Sequence, residues 1–345
     1  MSSKSYRVGI VGATGAVGMR MVEVLGERHF PVCELRLFST VRSAGKKVSF
    51  GGDEHTVQEL GSKSFDGLDL VLFSAGTQVS LDHCWRAAEA GALVIDNSNA
   101  WRMDRHVPLV VPEVNPKAAQ KHRGLIANPN CSTIQMVVAL APLHRHAQIE
   151  RIVVSTYQSV SGTGLDAMAE LEAQARAELN GDAEVPPKVY PVTIAFNCLP
   201  HIDVFDDRGN TLEEMKMVRE TRKILEEPGL PVTATCVRVP VRISHAEAVN
   251  AVFSKNLTPR IARQILEKAP GVVVMDDPGN RVYPHPRSAT GRDEVFVGRI
   301  RRDTSHPRGL NLWVVADNLR KGAATNAIQI AELVFDTGSC QRRRK

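Results

Sequence analysis

No two cysteines in the sequence are spaced as Cys-x-x-Cys, and no cysteine stands with histidine at a metal-ligand spacing. The six cysteines, Cys33, Cys84, Cys131, Cys198, Cys236 and Cys340, are scattered. That pattern argues against a disulfide framework or a bound metal and for a reducing, cytoplasmic setting. Runs of about 18 consecutive apolar residues are also missing, so no membrane span is expected. The start, Met1-Ser2-Ser3-Lys4-Ser5-Tyr6, has no apolar core of a secretory signal. There is no 20-to-50-residue repeat and no low-complexity linker. The net charge is +5, but part of it lies in Arg342-Arg343-Arg344-Lys345, after Gly338-Ser339. No nucleic-acid-binding motif accompanies it, so residues 338–345 read as a solvated, disordered tail with no nucleic-acid partner.

What is present is an ordinary globular composition, 43% apolar and 23% charged over 345 residues, enough for two domains. Strand-like runs at Arg7–Val11, Glu34–Phe38, Leu68–Ser74 and Leu93–Asp96 alternate with helical spacing at Ala16–Leu25 and Leu81–Ala90. This alternation predicts an α/β, Rossmann-like, doubly wound parallel sheet over residues 1–130. Beyond residue 130 the texture changes. Ile149–Gln158 and Thr233–Ile243 read as long β-branched strands, Leu165–Leu179 and Leu212–Leu225 as amphipathic helices, and Asn180–Pro191 as a loop. We expect an α+β second domain over residues 131–316. The chain then completes the first domain with residues 317–337, through a last helix at Ala323–Phe335.

Gly12-Ala13-Thr14-Gly15-Ala16-Val17-Gly18 joins the first strand to the first helix. There, the first glycine permits a tight turn, the second lets backbone approach a pyrophosphate, and the third allows close helix–strand packing. The helix start adds unpaired N–H groups and a favourable dipole for phosphate. A glycine-rich turn without a ligand is the plain alternative. An NAD enzyme would place an acidic residue at the end of the second strand. This strand instead runs Phe38-Ser39-Thr40-Val41-Arg42-Ser43, then Lys46-Lys47. Hydroxyls and cations there suit the 2′-phosphate of NADP, the alternative being a basic surface loop.

Asn128-Pro129-Asn130-Cys131-Ser132-Thr133 leads into the apolar helical run Ile134–Leu143, which places Cys131 at a helix N-terminus. The dipole there favours thiolate, the nucleophilic form, and nearby backbone N–H groups suit an oxyanion. A cysteine that merely starts a helix is the competing view. Arg238-Val-Pro-Val-Arg-Ile-Ser-His245 offers an anion anchor and a candidate base, although a histidine taken by itself is more often structural than catalytic. Strict strand alternation sets Arg238 and His245 on opposite faces, so their convergence requires a bulge or turn near Pro240.

Together these segments resemble aspartate-semialdehyde dehydrogenases, in order and over nearly the whole chain: Val8–Gly18, Ser39–Lys47, Asp96–Asp104, Asn128–Thr133, Tyr157–Gly164, Ile194–Asp203, Thr211–Leu225, Cys236–Val249, Val297–Asp303 and Asp317–Glu332. The resemblance, closest to the shorter bacterial branch, implies an NADP-dependent homodimer whose second domain forms the interface. It implies reversible reductive dephosphorylation of aspartyl 4-phosphate to aspartate 4-semialdehyde, releasing inorganic phosphate, on the route to lysine, threonine, methionine and diaminopimelate. Cys131 would carry the acyl group as a thioester, His245 would act as acid/base, and Gln158 would position the substrate. Arg238 would meet the substrate carboxylate, Arg102, Asn130 and Lys216 the phosphate, and Glu213 the amine. The cofactor would meet Gly12, Thr14, Gly15, Ala16, Val17, Ser39, Arg42 and Ser43, with Ser161, Gly162 and Asn318 at its nicotinamide end.

Thr211-Leu-Glu-Glu214 reads as a capping box, which engages Glu214 and leaves Glu213 for another task. A surface ion pair with Lys216 is the simpler account of Glu213. Around the histidine the family usually has Gly-His-Ser-Glu; this chain has Ser244-His245-Ala246-Glu247. Rival readings are N-acetyl-γ-glutamyl-phosphate reductase, for whose blocked amine Glu213 has no use, glyceraldehyde-3-phosphate dehydrogenase, and a non-catalytic NADP-binding paralogue.

Overall fold

The computed structural model describes residues 4–336 apart from Ser62, so the basic tail lies outside the described residues. Its contacts divide into two units, one running to Asn130 and resuming at Ala323, the other spanning Cys131–Gly322.

In the first unit β1 (Tyr6–Val11), α1 (Ala16–Glu27), β2 (Val32–Ser39), β3 (Lys47–Phe50), β4 (Asp53–Glu59), β5 (Leu70–Phe73), α2 (Thr77–Glu89), β6 (Leu93–Asp96) and β7 (Leu125–Ala127) follow in order. They build a seven-stranded sheet ordered β3-β4-β2-β1-β5-β6-β7. Neighbouring strands are parallel except for the β3–β4 hairpin. This is the doubly wound sheet expected. Leu70–Phe73 and Leu93–Asp96 are buried throughout, as strands covered on both faces must be. The chain winds outward from β1 through β2 and β4, then returns to β5 on its other side. The end of β1 is therefore the switch point where open α/β sheets bind ligands. The β3–β4 hairpin was not expected, because its polar, largely exposed strands lack an apolar stripe.

The second unit contains α3 (Cys131–Ala147), β8 (Ile149–Gln158), α4 (Leu165–Asn180), α5 (Leu212–Ile224), β9 (Val232–Arg238), β10 (His245–Phe253), α6 (Pro259–Leu266), β11 (Val272–Val274), α7 (Pro286–Ala289), β12 (Val295–Arg302) and β13 (Gly309–Ala316). Its six-stranded mixed sheet is ordered β11-β12-β13-β10-β8-β9. Helix α3 packs on β8, β10, β12 and β13 and is buried for most of its length. The strand expected over Thr233–Ile243 stops at Arg238. Residues 239–244 turn instead, with Val241 N–H donating to the Val239 carbonyl and Ser244 at φ 78°. His245 then opens a new strand.

The return to the first unit also differs from the sequence reading. Asp317–Gly322 belongs to the second unit, because Asn318 accepts from Ser244 N–H at 2.8 Å and Gly322 N–H donates to the Asp317 carbonyl at 3.0 Å. A wide turn at Arg320–Ala324 leads to α8 (Thr325–Phe335). There Ala327, Ile328, Ile330 and Ala331 join the core of the first unit with Val24 and Leu25 of α1.

Candidate active site

In the first unit the glycine loop is built by close approach. Gly12 has φ +85°, and a Cβ there would strike the Ser74 carbonyl at the end of β5. A Cβ on Gly18 would strike the Gly12 carbonyl, so α1 can seat against the loop only without one. No side chain caps α1, whose N-cap is Gly15, so Ala16 and Val17 open the helix with backbone alone. Thr14 Oγ1 meets Ser39 Oγ at 3.1 Å, which joins the loop to the end of β2. Arg42 and Ser43 lie in a turn just beyond, where Arg42 is exposed and no acidic residue intervenes before Asp53. This cradle, open at a helix start and bordered by hydroxyls and a cation, fits a dinucleotide. The same unit holds Arg102, buried, whose Nε donates to the Asn128 carbonyl at 3.0 Å and Nη2 to the Asn97 carbonyl at 2.9 Å. Asn130 is buried at the end of this segment.

In the second unit the sheet order brings residues distant in sequence to one edge. Arg238 ends β9, Gln158 ends the adjacent β8 and pairs with it, and His245 begins β10 on the other side of β8. His245 in turn pairs with Ala316, the end of β13, two residues before Asn318. The turn at 239–244 thus brings Arg238 and His245 together across β8. Both reach Gly162: a Cβ there would lie 3.1 Å from Arg238 Nη1 and 3.2 Å from His245 Nε2. Cys131 opens α3. A Cβ on Gly322 would lie 2.8 Å from that of Cys131 and 3.6 Å from that of Asn318, so the thiol-bearing residue stands beside the asparagine that holds Ser244.

The electrostatics favour an anion at this edge. His245 is wholly buried; desolvation, then the neighbouring Arg238 guanidinium, push its pKa well below the ordinary 6.5. Its Nδ1 accepts from Ser159 N–H at 3.0 Å, with Ser159 Oγ at 3.1 Å, and its Nε2 is buried without a protein partner. A neutral ring accepting at Nδ1 carries its proton on Nε2. Arg238 donates Nη1–H to the Ser159 carbonyl at 2.6 Å, while its buried Nε also has no partner. Two unpaired buried donors, each costly to leave so, point to a ligand with acceptor oxygens.

Gln158 is buried and donates to Thr156 Oγ1 at 3.3 Å and to Glu213 Oε1 at 3.2 Å. Glu213 also accepts from Lys216 Nζ at 3.2 Å. The ion pair with Lys216 is therefore real, but Glu213 is buried and not a surface partner. Thr211 and Glu214 form the capping box. Ser161 and Asn318 hydrogen-bond one another, and Asn318 Oδ1 also accepts from Ser159 Oγ.

Sequence reasoning missed Ser159, which orients both His245 and Arg238; its only signal was adjacency to Gln158. It also missed Asp203, which holds Lys216 Nζ at 2.7 Å. Among the described residues, no group of three or more His, Cys, Asp or Glu could hold a metal, and no helix is long and apolar enough to cross a membrane.

Comparisons with known proteins agree across both units. Residues 7–122 match the NAD binding domain of semialdehyde dehydrogenases, and residues 140–321 match their dimerisation domain. The aspartate-semialdehyde dehydrogenase of Aquifex aeolicus is 54% identical over 336 residues, covering 96% of this chain and 99% of that protein. The crystal structure of aspartate semialdehyde dehydrogenase II from Vibrio cholerae, complexed with ASA, has a TM-score of 0.94 at 49% identity, covering 97% of this chain and 99% of that one. The Candida albicans enzyme, solved with NADP, has a TM-score of 0.73 at 26% identity, covering 96% and 98%. Both units thus match enzymes of one name over nearly the whole chain, and the chain belongs to the aspartate-semialdehyde dehydrogenase family of oxidoreductases.

Proposed function

We propose that the chain catalyses the reversible, NADP-dependent conversion of aspartyl 4-phosphate to aspartate 4-semialdehyde through an acyl-thioester on Cys131, as a cytoplasmic homodimer. The observation that carries this reading is the pair of buried, unpartnered donors, Arg238 Nε and His245 Nε2, on two side chains that both approach Gly162. Cys131 attacks the acyl carbon, and the carbonyl oxygen becomes a tetrahedral oxyanion. His245 donates its Nε2–H hydrogen bond to that oxygen; collapse restores the carbonyl, expels phosphate and leaves the thioester. When bound, the reduced nicotinamide supplies the hydride. The second tetrahedral oxygen is stabilised in the same way, and its collapse frees the aldehyde and returns the Cys131 sulfur. Ser159 holds the ring at Nδ1 through its N–H at 3.0 Å and its hydroxyl at 3.1 Å, so Nε2 is the nitrogen that gives and takes a proton in either direction.

Arg238 holds the substrate carboxylate, since a guanidinium offers two parallel donors. Arg102, Asn130 and Lys216 serve the phosphate. Glu213 serves the amine while its other contacts orient Gln158. NADP is preferred because Ser39, Arg42 and Ser43 stand where an NAD enzyme carries a carboxylate, and because the Candida albicans relative was solved with it.

Purified protein is mixed with aspartate semialdehyde, NADP and phosphate, and NADPH is followed by absorbance. Parallel runs omit phosphate, substitute NAD, or offer N-acetylglutamate semialdehyde or glyceraldehyde 3-phosphate. Phosphate-dependent NADPH formation with aspartate semialdehyde alone supports the proposal. Turnover of another aldehyde overturns the substrate, equal turnover with NAD overturns the cofactor preference, and cofactor binding without any turnover marks a non-catalytic relative.

A further inference from the structure

Strand β10 carries a carboxyl group to which the reaction assigns no task. Glu247 is fully buried and follows His245 by two residues, so both project from one face of the strand. That face also bears Val249, Ala251 and Phe253, all buried. On α3, Gln135 follows Cys131 by four residues, one helical turn along the same side. The two spacings set a second pair, Gln135 and Glu247, one layer from Cys131 and His245.

This second pair has a hydrogen-bond deficit. Gln135 Nε2 reaches the His245 carbonyl at 3.5 Å, and the amide lies against the Glu247 carboxyl. Yet Gln135 Oε1 and both oxygens of Glu247 lack any partner of normal geometry. Three buried acceptors together are expensive, at roughly 1–3 kcal/mol for each unsatisfied group. One proton removes most of the deficit, because it turns one Glu247 oxygen into a donor that can serve Gln135 Oε1, leaving a single acceptor unmatched. The surroundings favour that proton. Cross-strand neighbours of Glu247 are Thr156 on β8 and Val314 on β13. Cys236 on β9 lies in the negative fields of Glu213, Glu214 and Glu247 itself. His245, on the same strand, is held neutral. Burial drives the Glu247 carboxyl well above the ordinary range, and the opposing Gln135 amide does not offset it.

We propose that Glu247 is a positioning residue: its un-ionised carboxyl pairs with the Gln135 amide, tying the start of α3 to the start of β10 and thereby fixing Cys131 relative to His245. This rests on the reading of Cys131 and His245 as the reacting pair. The un-ionised form matters because a buried anion here would raise the proton affinity of both groups.

Full-length wild type, E247Q and E247L are compared by three measurements. These are infrared difference spectra in the carboxyl-stretch region, the rate of Cys131 alkylation by iodoacetamide quantified on its own peptide, and steady-state kcat and KM. An un-ionised carboxyl band is expected in wild type and absent from E247Q at neutral pH. E247Q supplies the same donor and acceptor to Gln135, so its kcat and alkylation rate should stay within about threefold of wild type. E247L should bind NADP yet lose roughly 100-fold in kcat with KM changed only a few-fold, as misplacement of reacting groups does. Absence of the band, an E247Q as impaired as E247L, or a folded E247L with intact kcat overturns the proposal. If E247L does not fold, the band and E247Q still decide it. If wild type fails to turn over aspartate semialdehyde, the functional reading falls, while the infrared and alkylation results still judge the Glu247–Gln135 pair.

Discussion

The two units solve their binding problems with opposite materials. The first builds its cradle from backbone: Gly12 and Gly18 are needed because no Cβ fits, and α1 opens without a side-chain cap. The second builds from buried side chains, among them Gln158 and Glu213, where Arg238 and His245 retain polar atoms that the fold leaves unsatisfied. A backbone site is damaged by adding atoms. A side-chain site is damaged by removing them, or by moving a proton.

On the proposed mechanism, the largest effect should come from removing the Cys131 sulfur. Cys131→Ser keeps the shape of the helix start but not the nucleophile, and turnover should fall by about 10⁴-fold or more. NADP binding, followed by quenching of protein fluorescence, should be unchanged. Next comes the backbone site. Gly12→Ala puts a Cβ against the Ser74 carbonyl at a positive φ, so roughly 2–4 kcal/mol of stability should be lost, read from urea unfolding. The KM for NADP should also rise at least about tenfold, each 1.4 kcal/mol of lost binding being one decade. If Gly12→Ala left both unchanged, the loop would not be a close-packed cradle and the contrast between the units would fail.

That contrast also explains what could be read from sequence. The loop was legible because its glycines sit within seven residues, between a strand and a helix whose patterns flank them. Cys131 was legible for a similar reason, since Pro129 and Asn130 precede an apolar helix. The convergence of Arg238 with His245 was not. It depends on β8 lying between β9 and β10, and no local spacing encodes which strands are neighbours. The turn at 239–244 read as strand because its valines and isoleucine are β-formers. Ser159 stayed hidden because its service to His245 and Arg238 is largely through backbone N–H and carbonyl groups, which any residue type could supply.

A subtler effect concerns protons in the second unit. His245 has a depressed folded pKa, so its contribution to stability is full above 6.5 and is lost as pH falls below it. Glu247 has a raised one, so its contribution is full below 4.5 and is lost as pH rises above it. Between 4.5 and 6.5 the two slopes oppose each other, each at most about 1.4 kcal/mol per pH unit, and the wild type shows little net change from this pair. Each variant should expose the other group. In urea titrations across that interval, His245→Gln should add a component of stability that falls as pH rises, and E247Q one that rises. Parallel wild-type and variant curves would mean that neither group is held in its neutral form.

The smallest effect tests whether departures from the family pattern reshape the histidine's setting. Ser244 occupies φ 78°, a conformation in which glycine, the residue usual in the family, is unstrained. The serine is held there by its N–H to Asn318 Oδ1 at 2.8 Å and its hydroxyl to Thr290 Oγ1 at 2.8 Å. The neighbouring Ala246 faces away from His245, in an apolar cluster with Ala289, Phe296 and Val315, where a hydroxyl would need a partner. Ser244→Gly removes roughly 1 kcal/mol of left-handed strain and gives up one hydroxyl bond of similar worth. Unfolding free energy should therefore change by less than about 1 kcal/mol, with kcat and KM within about twofold of wild type. Ser244→Ala keeps the strain and loses the bond, so it should be the less stable of the two by about 1 kcal/mol. The reverse order, with Ser244→Gly the weaker protein, would mean that a side chain at this φ carries no strain and that the extra freedom of glycine in the unfolded chain decides instead.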